Sequence, residues 1–235
     1  MSREVAEQLW QEMSPAVWPF PDHVKDVRKP IERTAFFPGG LGLWLEADGA
    51  CGEFPVGQIM VVGQDFNTES AYERALERGT EVDISVTWRK LRELLRESGI
   101  SPNRCFFTNV YMGLRDEGSE IGPFPGGKDE RFVKRCVEFF KKQLEVAKPK
   151  LIVTLGLAPL RFMATHLCRV RTPKTLAGCT EIYHPVSLAH GAVTVVALTH
   201  PSLYHANVGR RKYGQLGGAE AEKEMIADGL KAAFP

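Results

Sequence analysis

Four short apolar runs, each closing on a polar residue or a glycine, constrain this chain more than any other feature. They are MVVGQD (Met60 to Asp65), FFTN (Phe106 to Asn109), LIVTLG (Leu151 to Gly156) and VVALTHPS (Val195 to Ser202). Runs of four to eight β-branched and aromatic residues, separated by helix-length segments, read as buried strands of a parallel sheet. In an open parallel α/β sheet ligands bind outside the carboxyl ends of the strands. Asp65, Asn109 and His200 are therefore predicted to converge on one pocket.

The segments between the runs fit this reading. A helix over Glu69 to Arg78 follows the first strand, and Trp88, Leu91, Leu94 and Leu95 share one face of a second helix over Trp88 to Ser98. A strand at Cys105 to Val110 leads into the polar loop RDEGSEIGPFPGGKDE. A helix at Glu130 to Ala147 is stopped by Lys148 and Pro149, and a strand follows at Leu151 to Leu155. LGLAPLRFMATHL reads as a turn and helix. Arg169 to Gly191 reads as irregular, Ala192 to Thr199 as the last strand, and Ala219 to Ala233 as the last helix. The expected architecture is α/β: a single domain with a four-stranded parallel central sheet flanked by helices and right-handed crossovers.

Before Gln58 the pattern is different. Val5 to Met13 is a short amphipathic helix, and residues 14–57 are rich in proline, glycine and aromatics, an irregular wrap with a short hairpin at Leu41 to Glu46. Trp18, Phe20, Phe36, Phe37 and Trp44 call for burial. At 235 residues, 43% hydrophobic and 25% charged, the chain is expected to form one domain over 1–235, with the wrap at 1–57 and the core at 58–235.

A formal net charge of +1 supplies no global attraction to polyanions, so nucleic-acid binding must rest on a local basic surface. The five cysteines are widely spaced, without a CxxC pair or a zinc-like pattern. They are expected to be free and mostly buried thiols in a reducing compartment, so no metal and no cofactor is expected. The start lacks the apolar stretch of a secretory signal, and no run reaches membrane-spanning length. The expected localisation is cytoplasmic, the expected state a monomer.

VVGQD, FTNV, KPKLIVTLG and THPSL, in this order and each at a strand end, resemble the motifs of the uracil-DNA glycosylase superfamily. The resemblance runs from about Gln58 to the C-terminus. Breaking an N-glycosidic bond leaves positive charge on the sugar and negative charge on the departing base, which asks for a carboxylate near one and a hydrogen-bond donor near the other. By the resemblance, Asp65 positions the attacking water and stabilises the cationic sugar. His200 donates to the uracil O2, as a neutral imidazole does when its surroundings suppress protonation. Asn109 reads the base edge, one amide offering the donor and acceptor that match O4 and N3–H. The backbone amides of Gln64 and Asp65 add further donors. Taken singly, Asp65 reads as a turn or cap residue, Asn109 as a strand-end amide and His200 as part of a turn; their joint placement is what speaks for chemistry. Gly156 is a turn glycine.

An enzyme acting on a base in a duplex must flip it out, and an apolar wedge often fills the gap. In HPSLYHANVGRRKYG the resemblance makes Leu203 the first choice for that wedge and Tyr204 the second. Ser202, with Ser187 as the second candidate, is expected to hold phosphates, and Arg210, Arg211 and Lys212 form a compact basic cluster for DNA. The chain also departs from the family. Its GQD continues as Phe66 and Asn67, where the best-known branch has proline and a tyrosine that excludes 5-substituted uracils. Phe66 or Trp88 is left to stack on the base, and the cysteine spacing of the iron-sulfur branches is missing.

The resemblance implies a monofunctional DNA glycosylase that hydrolyses uracil from single- or double-stranded DNA without cofactor; the motif positions carry no lysine to act as an amine nucleophile. Two other classes stay open: a non-catalytic binder of DNA with modified bases, and an α/β enzyme acting on free nucleotides. Against the latter stands the lack of a GxGxxG or P-loop pattern.

Overall fold

The computed structural model describes residues 2–31, 53–80, 85–116, 118 and 121–235. In chain order the elements are α1 (Ser2–Val17), β1 (Val24–Lys25), β2 (Ile59–Gly63), α2 (Glu69–Arg78), α3 (Val86–Glu97), β3 (Cys105–Asn109), β4 (Leu114–Arg115), α4 (Glu130–Ala147), β5 (Leu151–Leu155) and α5 (Leu157–His166). There follow β6 (Tyr183–Leu188), β7 (Gly191–Leu198), α6 (Tyr204–Asn207), β8 (Lys212–Tyr213), β9 (Leu216–Gly217) and α7 (Gly218–Ala233). No helix among the described residues is long and apolar enough to cross a membrane.

The central sheet has the order β3-β2-β5-β7-β6. Its first four strands are parallel, and the register puts Gly63 opposite Asn109 and Leu155 opposite Leu198, so their carboxyl ends lie along one edge. Every residue of β2, β3 and β5 is buried, as expected of strands covered on both faces. Met60, Val62, Phe106 and Ile152 point to the side packed by α1, α2, α4 and α5, whereas Ile59, Val61, Phe107 and Val153 point to the side packed by α3 and α7. Gly229 lets α7 lie close on that second face, since a Cβ there would stand 2.5 Å from Val196 Cγ2.

Helices α2 and α4 begin and end at capping residues, while α3 starts at Val86, two residues before the expected Trp88. Thr68 Oγ1 accepts from Ala71 N at the start of α2, and Gly79 closes it at φ 65°. Asp129 accepts from Phe132 N at the start of α4, and Lys148, at φ 43°, turns the chain before Pro149. The first helix is longer than expected, running to Val17 with Ala6, Leu9, Met13 and Val17 buried along one face.

The structure corrects the expected sheet. It has five strands rather than four, because β6 adds an antiparallel edge to β7, with Val186 opposite Val193 and Leu188 opposite Gly191. Pro185 inside the run argues against a strand, but an edge strand needs N–H groups on one side only and tolerates proline. Trp18 is also not buried: it is 66% exposed and meets Phe20 edge-on. The hairpin expected at Leu41 to Glu46, with Phe36, Phe37 and Trp44, lies outside the described residues.

Candidate active site at the carboxyl edge of the sheet

A cavity of about 1160 Å3 opens at the carboxyl ends of the parallel strands. Gln64, Asp65, Phe66, Asn67, Asn109, His200, Ser202 and Leu203 all line it. The strand-end ladder continues past β2 and β3, Val110 N donating to Gly63 O at 3.1 Å and Tyr111 N to Gln64 O at 2.9 Å, so Asp65 leaves the sheet from a fixed backbone.

The Asp65 carboxylate has a partner that sequence reasoning missed. Arg115 Nη2 donates to Asp65 Oδ2 at 2.8 Å and Nε to Oδ1 at 3.2 Å, while Asn67 N donates to Oδ1 at 2.9 Å. Both side chains are buried, with relative exposures of 5% for Arg115 and 7% for Asp65. The same guanidinium donates to Gly122 O at 2.8 Å and Pro123 O at 3.3 Å. Its backbone is held as well, because β4 pairs with β1 and Thr68 bridges to Arg115. A carboxylate has about four acceptor positions, so the contacts described fill Oδ1 and leave Oδ2 one. The carboxylate is thereby fixed in direction, largely neutralised in charge, and able to take one further donor such as a water.

At β7 the chain passes through Thr199 to His200. The Ser202 backbone N–H points at His200 Nδ1 at 3.3 Å, and Ser202 Oγ lies 2.8 Å from the same nitrogen. A backbone N–H can only donate, so Nδ1 is the acceptor and the ring proton sits on Nε2. Burial pushes the His200 pKa below its ordinary value, against a smaller opposing pull from the Asp65 charge. The result is a neutral imidazole with an Nε2–H donor in the cavity wall. Gly156 contributes space: at φ +86° it packs against the histidine, and a Cβ there would meet His200 Cβ at 3.4 Å.

Asn109 closes β3 at 0% exposure, and neither Nδ2 nor Oδ1 has a hydrogen-bond partner among the described residues. A buried amide left empty on both sides is costly in a native protein, at about 1–3 kcal/mol for each unmade bond. In a cavity wall that cost is what a ligand's paired donor and acceptor removes. Nearby, Tyr111 stacks on Phe124 with centroids 4.9 Å apart and meets Phe162 edge-on, building an aromatic side to the cavity. Asn67 sits at φ 72° with Oδ1 accepting from Thr68 N at 2.8 Å, so its amide is turned to its own backbone. Gln64 Nε2 bonds Gly122 O at 3.3 Å. Of the two aromatics expected to stack on a base, Phe66 is 6% exposed within the core, and Trp88 is 1% exposed and packed edge-on to Phe107.

The basic cluster divides. Arg210 and Lys212 are exposed, but Arg211 is 1% exposed and is a core residue, which corrects its expected contact with DNA. Its Nε lies 2.9 Å from Glu222 Oε1, Nη2 donates to Ala197 O at 2.7 Å, and Nη1 donates to Cys179 O at 3.1 Å and to Leu176 O. The α7 pattern could have revealed this, since Glu222 lies on the helix's apolar face with Met225, Ile226 and Gly229. Tyr204 is half-buried against His205, and Ser187 is exposed on β6; neither lines the cavity. Exposed cations that do line it are Arg74 and Arg78 of α2, Lys128 and Arg161, and Asp65 is its one carboxylate among the described residues.

Residues 52–219 match the family model described as the Uracil DNA glycosylase superfamily. The chain belongs to the uracil-DNA glycosylase superfamily. A comparison with curated proteins finds no match. Membership gives the site a glycosylase-type chemistry on DNA, with the mixed, mostly parallel sheet of that superfamily. Among the described residues of this glycosylase fold, no three histidine, cysteine or acidic side chains are grouped as metal ligands.

Proposed function

We propose that this protein is a monofunctional DNA glycosylase that hydrolyses the N-glycosidic bond of uracil in DNA. The observation that carries the reading is the unpartnered Asn109 amide, buried in the same cavity as the His200 Nε2–H and the Asp65 carboxylate. An extruded uracil offers Asn109 an acceptor at O4 and a donor at N3, and offers His200 an acceptor at O2. As the bond to the sugar lengthens, negative charge collects on O2, and the Nε2–H bond strengthens at that moment. Asp65, held by Arg115, faces the cationic sugar and uses the open position on Oδ2 to hold water. Its tie to a guanidinium makes it an electrostatic and orienting group. Water supplies the oxygen to the sugar, and the base leaves with the proton.

Leu203, with Tyr204 behind it, fills the gap left by the flipped nucleotide, and Ser202, beside His200, approaches the adjoining phosphate. Residues 1–235 act as one domain and as a monomer on single- or double-stranded DNA. The motif positions offer no amine for lyase chemistry, so borohydride is expected to trap no covalent adduct.

The Arg115 clamp supports a second reading, a non-catalytic binder of modified DNA, because a guanidinium on both oxygens offsets the charge that the sugar needs. One experiment separates the two. Oligonucleotides each carrying one altered base are incubated with the protein and cleaved with alkali. Strand breaks at uracil, lowered by orders of magnitude in Asp65→Asn and His200→Ala, support the enzyme. Gel-shift binding without breaks supports the binder, and near-normal turnover in either variant overturns the assigned roles.

A further inference from the structure

We infer that Glu222 is a positioning residue that sets His200 through Thr199 and, by gripping Arg211, closes both ends of the loop that faces DNA. Glu222 is 0% exposed, in the first turns of α7. Its Oε1 accepts from Thr199 N at 2.6 Å and Thr199 Oγ1 at 2.7 Å, and stands 2.9 Å from Arg211 Nε. Thr199 immediately precedes the segment 200–210, which carries His200, Ser202, Leu203 and Arg210, and Arg211 immediately follows it. One carboxylate oxygen thus hydrogen-bonds the residue before that segment and forms an ion pair with the residue after it.

Arg211 extends the grip. Through Ala197 O it is tied to β7, and through Leu176 and Cys179 carbonyls to the stretch before β6. Between the two anchors the loop has little regular structure: a 3-10 turn at Pro201–Leu203, the four-residue α6, and a second turn at Val208–Arg210. The loop is half-buried or exposed for most of its length, with the Pro201–Leu203 turn lying against α3 and the Val208–Arg210 turn against α7. The anchors at its two ends add order to these contacts. A buried ion pair is a poor source of net stability compared with apolar packing, but it specifies one geometry, because a displaced partner leaves an uncompensated buried charge. His200 Nε2 must meet a developing charge within a few tenths of an ångström, and fixing Thr199 from both its N–H and its hydroxyl is how that geometry is imposed.

This inference rests on the proposed reading for its catalytic consequence, and its structural half can be tested without it. Amide hydrogen exchange is measured on the free full-length protein as wild type, Glu222→Gln, Glu222→Ala and Thr199→Val. Glutamine keeps an acceptor oxygen for Thr199, and valine removes only the hydroxyl contact and keeps the protein testable if alanine does not fold. Exchange over residues 200–210 is expected to rise at least about tenfold in Glu222→Ala, and less in Thr199→Val, while β3 and β5 stay protected. On uracil-containing DNA, kcat is expected to fall about tenfold or more in Glu222→Ala and Thr199→Val with KM within about twofold of wild type, the split that marks an interaction made in the transition state. Glu222→Gln, which keeps the acceptor for Thr199 but strands the buried Arg211 charge, is expected to fall between wild type and Glu222→Ala in both readouts. Unchanged exchange over 200–210, or a rise shared equally by β3 and β5, overturns the inference. A wild-type protein that excises nothing refutes the proposed function instead, and the exchange data then decide alone.

Discussion

Replacing Arg115 by methionine is the sharpest test of how the floor of the cavity is built. The substitution keeps an unbranched stem of similar girth and removes the guanidinium that chelates both oxygens of Asp65 and also bonds Gly122 O and Pro123 O. What remains is a carboxylate at 7% exposure with one described donor, the Asn67 N–H. Breaking one side of a buried ion pair costs about 3–5 kcal/mol, most of it the penalty of the stranded charge. For a chain of this length each kcal/mol moves the melting midpoint by about 2–4 °C, so the variant should melt about 6–20 °C below wild type. Reversible urea unfolding supplies the free energy and calorimetry the midpoint. Asp65→Asn in the Arg115→Met background removes the stranded charge, so the double variant should be less destabilised than the sum of the single losses by about 2 kcal/mol or more. Arg115→Lys should fall between, because an ammonium carries the charge but not the planar fork. An Arg115→Met protein with wild-type circular dichroism that melts within about 2 °C of wild type would refute the reasoning.

Other outcomes follow from charge and burial. Burial lowers the His200 pKa below its usual 6.5, so the acid limb of a single-turnover pH profile assigned to this group should fall below that value. The same shift bears on stability: the unfolded chain takes up the proton first, so the contribution is present above the unfolded value and is lost as pH falls through the folded one, which urea midpoints will track. Burial pushes the Cys105 and Cys136 thiols up to about 12, so iodoacetamide at pH 8 should leave both unmodified in the folded protein and label them on unfolding, as peptide mass mapping reads. Changing Arg74, Arg78, Lys128 and Arg161 together to glutamine should lower the slope of log K against log salt for oligonucleotide binding by about 3, given a slope of about 0.7–0.9 per phosphate contact. The same number of changes at Lys141, Lys142, Lys223 and Lys231, which lie outside the cavity, serves as the control for net charge.

The parts of the fold legible in the sequence are those set by local pattern. The bounds of α2, α4 and β5 follow from periodicity and caps within the segment itself: Thr68 and Gly79, Asp129 and Lys148, and an unbroken apolar run. The placement of Asp65, Asn109 and His200 along one cavity wall was legible for the same reason, each being the polar stop of such a run. Contacts between distant residues were not. Arg115 meets Asp65 across fifty positions, from a two-residue strand in a loop with no period to betray it. Arg211 reads in the sequence as one member of a basic cluster for DNA, yet its partner is eleven residues onward on a helix, and only a charge on the apolar face of α7 hints at the pairing. β6 escaped because edge strands carry exposed, mixed residues and here a proline.

That edge strand has a bearing on how the molecule behaves in concentrated solution. A sheet border with free amides and carbonyls is a template on which another chain can add a strand. On β6, Pro185 removes one donor from the row, and His184 and Ser187 put polar side chains beside it. At the opposite border β3 is buried throughout. Among the described residues neither border offers a long, flat, apolar ladder to a neighbouring copy, and a replacement such as Pro185→Val would return one backbone donor to the β6 row.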